Sequence, residues 1–134
     1  MEGPIELEVA TPERRLLKEA VDSAQIPGRE GYLGVLPGHA ALAGELGAGV
    51  LTYASGGRKR SMAVAGGFLQ VQPGRVRVLA DVAERAEEID VSRAQAALER
   101  ARRAQGAAGT VEEATTAGAA ADRAAARIAA AGAK

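Results

Sequence analysis

Four arginines in the C-terminal half of the chain fall into two pairs at helical spacing. Arg93 and Arg100 are seven residues apart, and Arg123 and Arg127 are four apart. Each pair therefore shares one face of a helix. If the two helices lie side by side with those faces adjacent, the four guanidinium groups converge. Like charges held together are unfavourable unless an anion joins them, and arginine pairs with phosphate oxygens bidentately. A polyphosphate is a natural ligand for such a cluster. The same spacing fits a solvated arginine face partnered by Glu99, Glu112, Glu113 and Asp122. Spacing alone leaves both readings open.

Little else in the chain is arranged for chemistry. The single histidine, His39, lies between Gly38 and Ala40, and there is no cysteine. That excludes a disulfide framework and a thiolate metal site, and no metal site is expected. No serine or aspartate stands at a spacing that would make His39 part of a triad, so a structural or interface role is expected for it. Gly28, Gly31, Gly34 and Gly38 form no phosphate-binding signature, since neither the G-x-x-x-x-G-K-S/T nor the G-x-G-x-x-G pattern is present. They are read as turn and close-packing positions. Arg58-Lys59-Arg60 is read as a solvated strand end. An enzyme has no catalytic constellation to rest on here.

The elements that would position the arginines follow from a change in composition. All five prolines and all three aromatics (Tyr32, Tyr53, Phe68) lie within the first 73 residues, and beyond Glu84 the chain is dominated by Ala, Arg and Glu. Proline and glycine punctuate turns, whereas Ala, Arg and Glu favour helix. The sequence therefore predicts a β half, residues 1–84, and a helical half, residues 85–134. In the first half Ile5 to Val9 alternates as a half-buried strand does. Leu17 to Ile26 is a second candidate. Gly49 to Ala54 and Ser61 to Val64 flank a Gly56-Gly57 turn. Phe68 to Gln72 and Arg75 to Leu79 flank Pro73-Gly74, a strong hairpin signal. Short strands at this spacing suggest a sandwich or barrel.

In the second half Asp90 is a good N-cap. Ala94, Ala97, Leu98, Ala101 and Ala104 follow at helical spacing. Gly106 and Gly109 supply a stop, and Thr110-Val111-Glu112-Glu113 has the form of a capping box. The second helix has Ala114, Ala117, Ala121, Ala124, Ala125 and Ile128 as its apolar face. The expected fold is α+β, an N-terminal antiparallel β-sandwich followed by a C-terminal two-helix antiparallel hairpin. The hairpin's contact faces are nearly all alanine, with Leu98, Val111 and Ile128 the larger side chains. Alanine removes little apolar area from water, isolated helices of this length are marginal, and Gly118 costs roughly 1 kcal/mol more. Two readings follow: a hairpin that exchanges between packed and extended forms, or a poorly ordered tail.

Bulk properties narrow the partners. The chain has 134 residues, with 17 Lys+Arg balanced by 17 Asp+Glu. A zero formal net charge argues against nucleic acid as a main partner. No apolar run approaches the roughly 18 residues that span a bilayer. Met1, Glu2, Gly3 and Pro4 do not open a basic stretch followed by an apolar one, so a secretion signal is not expected.

Taken in order, G-R-E-G-Y-L-G-V-L-P-G-H-A-A-L (Gly28 to Leu42), A-V-A-G-G-F-L-Q-V (Ala63 to Val71) and V-L-A-D-V-A-E-R-A-E-E-I-D (Val78 to Asp90) resemble the epsilon subunit of bacterial F-type ATP synthase. The resemblance covers nearly the whole chain and is strongest from Gly28 to Ala94. It implies a non-catalytic rotor subunit whose sandwich binds the gamma subunit and sits on the c-ring. The loop Arg29 to Gly34, with Arg29, Glu30, Gly31 and Tyr32, aligns with the ring contact, although some relatives carry an acidic residue in place of Tyr32. His39 aligns with a position near gamma. It further implies that the extended hairpin blocks ATP hydrolysis through Arg100, Arg102 and Arg103 against a beta subunit of the alpha/beta hexamer. Ile89-Asp90-Val91-Ser92-Arg93-Ala94 has the I-D-x-x-R-A form that binds regulatory ATP in some members, with Glu84, Arg100, Arg123 and Arg127 as the further positions. ATP is then a regulator and not a cofactor of catalysis. Membrane association comes only through the complex, at the cytoplasmic face of the bacterial inner membrane. Alternatives are a structural rotor connector without ATP sensing or inhibition, and an unrelated β-sandwich binding module.

Overall fold

The computed structural model describes residues 4–133; Met1, Glu2 and Gly3, where no secretion signal is expected, lie outside them. Eight strands come first: β1 (Ile5–Ala10), β2 (Arg15–Val21), β3 (Ser23–Gly28), β4 (Gly31–Val35), β5 (Leu42–Glu45), β6 (Gly49–Ser55), β7 (Arg58–Gln72) and β8 (Arg75–Arg85). A 3-10 turn, Ala86–Glu88, leads into helices α1 (Val91–Gly106) and α2 (Val111–Gly132). The expected sandwich and helical hairpin are both present.

The sandwich is one continuous ladder folded over on itself, in the order β2-β1-β8-β7-β6-β3-β4, with β5 also on β7. The first part of β7 pairs with β6 and its last part with β5, while β8 pairs along nearly its whole length. The β7–β8 hairpin thus belongs to both layers. Its core-facing residues change parity on the way, from Met62 and Val64 to Leu69 and Val71. The change occurs at Gly66 and Gly67, which have φ of 70° and 106°. A Cβ on Gly67 would overlap the Leu79 carbonyl oxygen, so only glycine lets the two strands turn here. One pairing departs from the expected antiparallel pattern: β1 runs parallel to β8, with Leu7 beside Val76 and Val9 beside Val78.

Between the layers lies a core of Ile5, Leu7, Val9, Ile26, Leu51, Met62, Val76, Val78 and their neighbours, each nearly or wholly removed from solvent. The two turns read from sequence are in place. Gly56 and Gly57, at φ of 58° and 80°, join β6 to β7 as consecutive left-handed residues, the geometry that matches strand twist in a tight hairpin. Pro73-Gly74 joins β7 to β8.

Three strand expectations change. Leu17 to Ile26 is two strands, because the chain bends at Asp22, whose backbone N–H donates to Ala54 and whose carboxylate accepts from the Gly56 N–H at 3.2 Å. Ser61 to Val64 is only part of the first half of β7, which runs from Arg58 to Gln72. The Arg29 to Gly34 segment is not a loop throughout: Arg29 and Glu30 make a turn, and Gly31 begins β4.

The helices begin where their caps predict. The Asp90 carboxylate accepts from the Arg93 N–H at 3.1 Å, and the Thr110 hydroxyl oxygen accepts from the Glu113 N–H at 3.0 Å. The return arm of the capping box differs, since the Glu113 carboxylate takes the Thr110 hydroxyl and not its backbone N–H. α2 lies across β6 and β7, and α1 packs chiefly on α2. Ala126 and Ala130 meet Ala63 of β7, with Val50 and Ile89 at the margin. Val111, expected on the contact face, is the first residue of α2 and is 82% exposed.

Candidate functional site

Where the hairpin leaves the sandwich, β8, the 3-10 turn and both helices enclose a pocket of about 470 Å3. Glu84, Glu88 and Asp90 line it from the end of β8 and the segment that follows. Arg93, Arg100 and Arg127 line the rest, over Ala94 and Ala97. Six of the eight residues expected at a nucleotide site, Glu84, Asp90, Arg93, Ala94, Arg100 and Arg127, therefore share one cavity. The other two do not line it. Ile89 turns down into the apolar cluster of Ala63, Ala126 and Ala130 and anchors the root of the hairpin. Arg123 lines an adjoining groove of about 720 Å3 between the helices, which Arg100 and Arg127 also border.

The charges in this region are unevenly matched. Arg127 donates through Nε to Glu84 Oε1 at 3.1 Å, a pair in which both groups are about one-third exposed. This contact ties α2 to β8. Glu88 is held from the opposite side by Arg14 at 3.5 Å and Arg85 at 3.8 Å. The Arg85 backbone N–H and side chain add hydrogen bonds to Glu88 and to the Leu16 carbonyl. Arg93, Arg100 and Arg123 have no carboxylate within 4.0 Å among the described residues. The acids that a solvated arginine face would use are engaged in part elsewhere, Glu99 with Arg103 at 2.9 Å and Glu113 with Thr110.

Small residues make the pocket possible. Ala94 and Ala97 face it from α1, and larger side chains there would fill it. Asp90 does double duty, since its cap bond to Arg93 fixes the first turn of α1 and so fixes where the Arg93 side chain starts. Glu88 was not singled out from the sequence. Its only signal was its i+3 spacing from Arg85.

Of the arginines expected to oppose a beta subunit, Arg102 and Arg103 are exposed on α1. Arg100 and Arg102 are two residues apart, about 200° around the helix, so they cannot serve one flat contact together while the hairpin is docked. On the sandwich, Arg29 pairs with Glu45 at 2.6 Å and the Tyr32 hydroxyl accepts from the Val50 N–H at 3.0 Å. His39 donates from Nδ1 to the Ala40 carbonyl at 2.8 Å. Tyr32 lies in β4 and His39 in the segment that follows it. An apolar patch was missed. Phe68 and Leu79, cross-strand neighbours on β7 and β8, are 64% and 49% exposed. The signal was available: Leu69 and Val78 point inward, so Phe68 and Leu79 must point out.

Residues 4–86 match the family described as "ATP synthase, Delta/Epsilon chain, beta-sandwich domain". The ATP synthase epsilon chain of Solibacter usitatus is 64% identical over 103 residues, covering 77% of each chain. That of Syntrophobacter fumaroxidans is 45% identical over 128 residues, 96% of each chain, and so extends the likeness through the hairpin. Among solved structures, a chain of the Euglena gracilis mitochondrial ATP synthase superposes with a TM-score of 0.82 at 28% identity, over 93% of this chain and 79% of that one. A β-sandwich bearing a helical hairpin, matched over nearly its full length, defines a non-catalytic subunit of the ATP synthase central stalk. The chain belongs to the ATP synthase epsilon chain family. No helix among the described residues is long and apolar enough to cross a membrane.

Proposed function

We propose that the hairpin is an ATP-sensitive arm that restrains hydrolysis by the assembled enzyme, while the sandwich holds the subunit on the rotor. The observation that carries this reading is the pocket at the hairpin root. It has Arg93 and Arg100 without carboxylate partners, and its walls come from both halves of the molecule. A triphosphate fits that donor set: Arg93, Arg100 and Arg127 would hold phosphate oxygens, Arg123 would add charge from the adjoining groove, and Glu84, Glu88 and Asp90 offer acceptors to a base or ribose. Bound ATP supplies the negative charge that Arg93, Arg100 and Arg123 otherwise lack.

The linkage is simple. ATP that binds only the docked hairpin stabilises it by RT ln(1+[L]/Kd), roughly 2.7 kcal/mol at a hundredfold excess over Kd. Docking through alanines is weak enough to be governed by that amount. At high ATP the arm stays down. At low ATP it extends, Arg100, Arg102 and Arg103 become available to acidic groups of a beta subunit, and hydrolysis stops. Contact with gamma and the c-ring is assigned to the sandwich, at Arg29, Glu30, Gly31, Tyr32 and His39. The uncovered Phe68–Leu79 pair, which borders an apolar groove with Ala43 and Leu69, supports a protein partner on this domain, because contiguous exposed apolar surface marks interaction sites. In this role the subunit couples proton transport to ATP synthesis at the cytoplasmic face of the bacterial membrane, held there only by the complex.

Calorimetric titration of the isolated protein with ATP tests the reading, with Arg93→Ala and Arg127→Ala as companions. Saturable heat that disappears in both variants is expected. No heat at millimolar ATP would leave a rotor connector without a sensor.

A further inference from the structure

The seam between hairpin and sandwich is apolar at its centre, where Ala63 meets Ala126 and Ala130, and carries the Arg127–Glu84 pair at its margin. Ser61 is 5% exposed, and its Oγ is the buried side-chain polar atom without a hydrogen-bond partner among the described residues. Its direction follows from register. On β7, Met62 stands opposite Leu51, and both enter the sandwich core. Ser61 and Ala63, opposite Thr52 and Val50, therefore point the other way, to the outer face. On that face Ala63 lies under Ala126 and Ala130 of α2. Ser61 is two residues nearer the 3-10 turn, on the side toward which the C-terminal part of α2 runs. With the hairpin lifted, the outer face of β7 is open to water and the hydroxyl is hydrated. With the hairpin down, the hydroxyl is buried and no protein group takes its place.

We propose that Ser61 is a counterweight built into the docking seam, a hydroxyl whose desolvation keeps the docked hairpin from being held too firmly. The inference rests on the reading of the hairpin as an arm that leaves the sandwich, and it adds how the balance of that arm is set. An unsatisfied buried hydroxyl opposes burial by an amount equal to about one decade in an equilibrium constant. In a seam made of methyl groups, one decade decides whether the undocked form is populated enough to respond to a ligand. At the same position alanine would complete the apolar face and bias the arm downward.

Hydrogen exchange of the full chain without nucleotide tests this at the Ala124 and Ala130 amides, which lie in the fully buried stripe of α2. In Ser61→Ala these amides are expected to exchange about tenfold more slowly. In Ala63→Ser, which places a second hydroxyl under α2, they are expected to exchange about tenfold faster. Unchanged or faster exchange of α2 in Ser61→Ala would overturn the proposal. So would slowing confined to β1 and β2, since that would mean the serine burdens the sandwich itself and not the docking. The result is separable from the ATP reading: a failed titration leaves these exchange rates as they are, and a failed exchange test leaves the arginine pocket intact.

Discussion

Two apolar interfaces of this molecule are built on different scales. Between the layers of the sandwich stand Leu7, Ile26, Leu51, Met62 and a set of valines, all nearly free of solvent. Between the sandwich and the hairpin stand Ala63, Ala126 and Ala130. Fully burying a leucine or methionine contributes roughly 1.5–3 kcal/mol, while a methyl-sized group contributes nearer 0.8. The second interface buries far less apolar area per residue, and the elements on either side of it are internally bonded, the helices by their caps and the sandwich by its ladder. Helix propensity and docking strength are thus set by different atoms, and either can be altered alone.

The sharpest way to break this contrast is to cut into the larger interface. Leu51→Ala is expected to cost about 2–5 kcal/mol, read as a lower denaturant midpoint for the whole chain. A loss well under 1 kcal/mol would mean the sandwich core is no better packed than the seam. Next comes Gly118→Ala on α2, where an added Cβ would meet only the flexible end of Gln105 at 3.3 Å. It is expected to add up to about 1 kcal/mol of helix stability. Circular dichroism should show a more heat-resistant helical signal, with the strands unaffected.

A smaller effect is expected in alkali. Burial raises the pKa of Tyr53 above its ordinary 10.0, with the nearby Glu19 charge adding to the shift. A raised folded-state pKa gives stability that is complete below pH 10 and is lost as pH climbs through the folded value. In Tyr53→Phe the alkaline fall in stability should flatten. An identical alkaline profile would show that the ring does not titrate with unfolding. The smallest effect belongs to Arg103, whose partner Glu99 is as exposed as it is. Arg103→Ala should change stability by no more than about 0.5 kcal/mol, while weakening any inhibition of ATP hydrolysis in the assembled enzyme.

Much of this architecture was legible in the chain because it depends on local chemistry. Asp90 and Thr110 start their helices, Gly56-Gly57 and Pro73-Gly74 turn their hairpins, and the arginine spacing brings Arg93, Arg100 and Arg127 to one cavity. What could not be read depends on distant partners. β4 and β5 contain glycines and few β-formers, and they exist because β3 and β7 pair with them. Asp22 breaks a strand through groups more than 30 residues away. Arg123 shares its face with Arg127, yet it lines the groove between the helices and not the pocket at their root. Glu88 joins the site through Arg14, which lies in the turn between β1 and β2.

The fold-over at Gly66 and Gly67 has a mechanical side. β8 is the strand from which the hairpin hangs, and its ladder with β7 runs through ten residue pairs from Met62–Arg85 to Gln72–Arg75. Antiparallel hydrogen bonds lie across the strands, so a pull on Arg85 along β8 loads the whole ladder in shear at once and does not peel it open bond by bond. The same strand passes through both layers. A force delivered at the hairpin root is therefore spread over the entire sandwich before any single bond must yield.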